Sequence, residues 1–99
     1  NYTLASVTSA DGNVALGSGA GGALTTGSNN IAIGDGSLDK PTTAADYNIA
    51  IGQDAISGNW TTADVNDVIG IGRSSLSGVL TSDASGTVAI GFHLHLMLL

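Results

Sequence analysis

The sequence predicts an all-β chain, a repetitive β-solenoid with coils of 17–20 residues. Three observations carry that prediction: a five-residue apolar motif recurs five times, it alternates large and small side chains, and the composition withholds what a helix needs. The copies are Asn13-Val14-Ala15-Leu16-Gly17, Asn30-Ile31-Ala32-Ile33-Gly34, Asn48-Ile49-Ala50-Ile51-Gly52, Val68-Ile69-Gly70-Ile71-Gly72 and Thr87-Val88-Ala89-Ile90-Gly91. Their closing glycines are 17, 18, 20 and 19 residues apart, and self-similarity at a near-fixed period is the signature of a repeat architecture. Solvent faces of helices are built from Glu, Lys, Arg and Gln. This chain has no Glu and one each of Lys40, Arg73 and Gln53.

Each element follows from local chemistry. Residues 1–11 read as a lead-in from a preceding part of a longer polypeptide, and residues 12–91 as the five-copy β repeat. Within a copy the period is two, so Ile31 and Ile33 share one face while Asn30, Ala32 and Gly34 share the other. The motif glycine takes the corner, where positive φ or close backbone approach is required. A second aliphatic follows four residues later, at Leu38, Ile56 and Leu76, and reads as a short second strand. Turn chemistry comes from Asp35-Gly36, Ser57-Gly58, Ser77-Gly78 and Ser85-Gly86. A hydroxyl pair (Thr25-Thr26, Thr42-Thr43, Thr61-Thr62, Thr81-Ser82) then marks an outer loop of variable length. Residues 92–99 read as an apolar His-x-His strand leading into a following segment.

A unit of this length is too short for a helical solenoid repeat and fits one coil of a β-solenoid. Stacked about 4.8 Å apart, five coils form a body ~24 Å tall. The large aliphatics are expected to fill the coil interior. The Ala/Gly flank then needs cover of its own, and the top and bottom edges are open. Three chains about a common axis would cover the flank, and further coils would cover the edges.

Composition excludes several functions. Two basic residues and a net charge of −6 argue against nucleic acid, whose phosphates call for clustered Lys and Arg. No run approaches the ~18 apolar residues of a membrane span, so membrane insertion is not expected. Zero Cys removes disulfides and thiolate chemistry. Low charge and many β-branched residues oppose disorder.

The Asn-(Val/Ile)-Ala-(Ile/Leu)-Gly unit, with its Ser-Leu or Ala-Ile segment and Thr-Thr loop, resembles the repeats of bacteriophage tail fibres. It is similar also to the head repeats of trimeric autotransporter adhesins, which share an N-x-V-A-I-G theme on a shorter, more regular unit. The longer unit here favours the phage type, as does the stretch Asn48 to Ile56; Gly70 departs from the pattern, where Ala is expected. The resemblance implies a triple β-helix-like homotrimeric fibre segment on a virion. Its implied role is structural and adhesive: holding or forming a surface that recognises a host polysaccharide or protein, with neighbouring fibre segments as further partners. A bacterial cell-surface adhesin head is the alternative, and a fragment of a polysaccharide-degrading tailspike a second one.

Candidate site residues are few. His93 and His95 face one side of a strand, and on a three-fold axis six imidazoles would converge, a set suited to iron or another transition metal. No other cofactor is expected. Tyr47 and Trp60 lie in or beside the variable loops and are candidates for receptor contact. Gly17-Ser18-Gly19-Ala20-Gly21-Gly22 matches a dinucleotide fingerprint only formally, since the residues after it form a poor helix. Asp35, Asp39, Asp54, Asp64 and Asp67 fall in turn or loop slots and read as solvated turn residues. No catalytic constellation is present, and the chain is not expected to be an enzyme.

Overall fold

The computed structural model describes residues 12–22, 27–39, 45–58, 66–77 and 85–93. Among these there is no helix. Five three-residue strands, β1 (Val14–Leu16), β2 (Ile31–Ile33), β3 (Ile49–Ile51), β4 (Ile69–Ile71) and β5 (Val88–Ile90), form one parallel sheet in chain order. The five sequence copies supply the five strands, and pairing keeps them in register: Ala32 lies beside Ala15 and Ala50, and Gly70 beside Ala50 and Ala89.

The corners continue the alignment outside the strands. Each strand ends on a glycine with φ between 120° and 140° (Gly17, Gly34, Gly52, Gly72, Gly91), a conformation that a side chain disfavours. The approach of successive corners adds a second reason for glycine. A Cβ on Gly34 would lie 2.6 Å from the carbonyl carbon of Gly52, and one on Gly52 would lie 2.7 Å from that of Gly72. The turn then closes with a hydrogen bond from the amide three residues on, as from Ser37 to the Gly34 carbonyl at 3.2 Å. Positive φ at its third position (Gly36, Asp54, Ser74) is the mark of a type II turn.

The aliphatic that follows is not a second strand. Leu38, Ile56 and Leu76 each hold a positive φ of 50–52°, and each side chain is fully buried. Their amides point along the stack: that of Leu38 donates to the Ala55 carbonyl and that of Ile56 to the Ser75 carbonyl, both at 2.8 Å.

These buried residues reverse the expected facing of the strands. The interior is filled by Leu38, Ile56, Leu76 and Val68 together with the small strand residues Ala32, Ala50 and Ala89. The large strand aliphatics lie on the outer face, half-buried in β2–β4 and exposed in β1 and β5. Volume explains the reversal. The turn aliphatic already occupies the space behind the sheet, leaving room for a methyl group at most at the middle of each strand.

A buried polar column runs beside this core. The Asn13 side-chain carbonyl accepts from the backbone and side-chain nitrogens of Asn30, at 2.9 and 3.2 Å. Asn30 does the same for Asn48, at 2.9 and 3.0 Å. The column ends where Val68 replaces asparagine, its amide donating to Asn48 at 3.0 Å. Side-chain amides thus satisfy backbone groups that a strand pair of three residues leaves unmatched. Two positions earlier a second series runs the opposite way, the Asp46 carboxylate accepting from the Ser28 amide at 2.7 Å and the Asn66 side chain from the Asp46 amide at 2.9 Å.

Candidate functional site

The outer face of the sheet is apolar along its whole length. It carries Val14 and Leu16, three Ile pairs from β2–β4, then Val88 and Ile90, with no polar residue among them. Exposure reaches 63% at Ile90 and 60% at Leu16. Soluble monomers rarely expose a continuous apolar surface of this kind. The sequence motif located these residues and misassigned their direction, so that the alanine flank, not this one, was expected outside.

Both margins of the face carry exposed residues. On one side, two positions before each outward pair, stand Asn29, Tyr47 and Asp67, all with positive φ of 55–60°. Tyr47 is 61% exposed and its amide donates to the Ser28 carbonyl at 3.0 Å. The receptor-contact candidate Tyr47 is therefore accessible and held on a hydrogen-bonded backbone, at the border of the apolar face. Its companion Trp60 lies outside the described residues.

On the other side, after the corner glycines, stand Asp35, Gln53, Arg73 and Phe92, all exposed. The Arg73 guanidinium carbon lies 4.5 Å from the centre of the Phe92 ring, a cation–π distance. His93 follows in the turn after β5, exposed, with φ 55° and its ring centre 5.6 Å from that of Phe92. His95 lies outside the described residues. No group of three His, Asp or Glu side chains able to hold a metal ion occurs among the described residues.

The carboxylates are dispersed. Asp35 and Asp67 are exposed, Asp39, Asp46 and Asp54 are half-buried, and Asp64 lies outside the described residues. Asp46 has a structural task as acceptor for the Ser28 amide. Gly17 to Gly22 form successive turns, the geometry of a corner. The hydroxyl pairs at Thr25, Thr42, Thr61 and Thr81 lie outside the described residues. No described helix is long and apolar enough to cross a membrane. Neither a family model, nor a curated protein, nor a solved structure matches the chain.

Proposed function

We propose that this chain is a segment of a homotrimeric phage tail fibre, a β-solenoid of 17–20-residue coils that holds or forms a host-surface recognition element. The single observation that carries the reading is the unbroken outer face of ten aliphatic side chains, two from each of five stacked strands. A parallel stack with such a stripe along its length is stabilised when identical stripes meet around a common axis. The trimer expected from sequence is kept, while the surface that closes it changes from the alanine flank to the Val/Ile/Leu flank.

The strand register supports a rod. Each strand lies in parallel register with the next, so length grows by about 4.8 Å per added unit without change of cross-section. Host recognition then falls to what the rod displays. Trp60 is the aromatic contact we assign to it, aromatic rings being efficient anchors for sugars and proteins, whereas Tyr47 borders the face where the copies would meet.

Light scattering on the purified chain tests the assembly, with an expected mass three times the 9.7 kDa of one chain. Sedimentation of labelled chain with bacterial cells tests recognition, with binding reduced by Trp60→Ala. A stable single-chain species that ignores bacterial surfaces contradicts both parts.

A further inference from the structure

We propose that the copies meet at equal height, with Asp67 of one copy paired to Arg73 of the next. This deepens the trimer reading above and rests on it. The argument starts from the two margins of the apolar face. A rotation axis parallel to the stack carries one margin of a copy to the opposite margin of its neighbour without changing height. Residues that meet across such an interface therefore come from the same sequence unit.

Matched by unit, the margins are complementary in the second, fourth and fifth units, while the third sets Tyr47 beside Gln53. In the second unit they are Asn29 and Asp35, an amide donor and a carboxylate. In the fourth they are Asp67 and Arg73, opposite charges. In the fifth they are Gly86 and Phe92, a residue with no side chain and a large ring. All six are exposed. Gly86 has nothing within 4 Å of its Cβ position, which leaves open space for a neighbour's ring.

The charged pair is the most informative. Arg73 is the one Lys or Arg among the described residues, and stacking on Phe92 holds its guanidinium at the margin. Asp67 is fixed by its amide, which donates to the Asp46 carbonyl at 3.1 Å. Within one copy the two flank Ile69 and Ile71 from opposite sides. Beside a desolvated apolar surface an ion pair contributes to orientation and register more than to raw affinity. A slip of one unit sets Asp67 against Gln53 or Phe92 and removes the pair. Antiparallel packing, with the stripes face to face, sets Arg73 against Asp35 and Asp67 against Asn29.

The test is a charge swap on the full chain, read by light scattering through a dilution series, with circular dichroism to verify folding. Arg73→Asp and Asp67→Arg are each expected to raise the dissociation concentration about tenfold or more, since like charges then face each other. The double variant Asp67→Arg/Arg73→Asp is expected to return to within about threefold of the wild type. A trimer indifferent to both single changes overturns the pairing and leaves the trimer standing. Folded single variants that weaken association without rescue by the double swap overturn the equal-height arrangement. A monomeric wild type defeats the assembly itself.

Discussion

The Cγ1 methylene of Ile56 lies 2.7 Å from the point where a Cβ on Gly70 would sit. Ile56 belongs to the turn of one unit and Gly70 to the strand of the next. This contact explains why the fourth motif reads Ile-Gly-Ile where the second and third read Ile-Ala-Ile. The β-branched side chain of Ile56 reaches toward the strand with Cγ1, and the methyl group of an alanine has no room. Gly70→Ala is expected to cost about 1–3 kcal/mol through overpacking. The double variant Ile56→Leu/Gly70→Ala is expected to recover most of that loss, because leucine occupies the same turn position at Leu38 and Leu76. Denaturant melts of the four species in the cycle measure the coupling; additive losses would contradict it.

Glycines held at positive φ differ in what surrounds them. Gly52 combines a φ of +127° with the Gly72 carbonyl beside its Cβ position. Gly86 has a φ of +82° and open space. Gly52→Ala is expected to lose upwards of about 3 kcal/mol, from strain and collision together. Gly86→Ala is expected to lose about 1–2 kcal/mol, from the left-handed conformation alone. Melting of the two variants side by side gives the ranking, and equal losses would deny the close approach of successive corners.

Asn30 sits in the middle of the polar column and is bonded on both sides. Its Oδ1 accepts two hydrogen bonds from Asn48, and its Nδ2 donates to the Ala45 carbonyl and to Asn13. Removing it orphans several buried groups at once, each costing about 1–3 kcal/mol when left without a partner. Asn30→Ala is expected to lower stability by roughly 2–4 kcal/mol. Hydrogen exchange at the Asn48 amide gives a local reading, since that amide loses its acceptor; unchanged protection there would contradict the account.

Two buried serines make contrasting predictions. The Ser37 hydroxyl donates to the Gly34 carbonyl at 2.9 Å, whereas the Ser75 hydroxyl is buried with no hydrogen-bond partner among the described residues. Ser37→Ala is expected to cost about 1 kcal/mol. Ser75→Ala is expected to be neutral or stabilising by up to about 1 kcal/mol, as alanine already stands at the matching positions Ala20 and Ala55. Thermal melts decide the sign, and a large loss at Ser75 would show that its hydroxyl is engaged.

The strands and corners were legible because their chemistry is periodic. Alternation in Asn30 to Gly34 and in Asn48 to Gly52 marks extended chain, and a glycine closing every motif marks a corner that other residues cannot take. The facing of the sheet was not legible from alternation, since Ala32 and Ile33 are both apolar and a period of two does not say which is inside. Volume decided it, and the signal was present in Leu38, Ile56 and Leu76. An aliphatic repeated in every turn competes for the same interior, and the strand must then present small residues inward. Those three turn residues looked like a strand because nothing in their own side chains announces a positive φ. The asparagine column was visible as a repeated letter, while its role as a chain of buried acceptors needed the stacking geometry. Of the candidate site residues, Tyr47 stands out in the sequence as an aromatic beside a loop, whereas the proposed pairing of Asp67 with Arg73 needs the two margins of the face to be known.

The account turns on which side of the sheet is interior. Ile49→Asp/Ile51→Asp tests this directly, by light scattering and circular dichroism on the same sample. Placed on the outer face, the two carboxylates leave the β-rich spectrum intact and reduce the particle to the mass of one chain. Loss of the folded spectrum would put these isoleucines inside, and a folded trimer that tolerates both charges would show that the stripe is not where the copies meet.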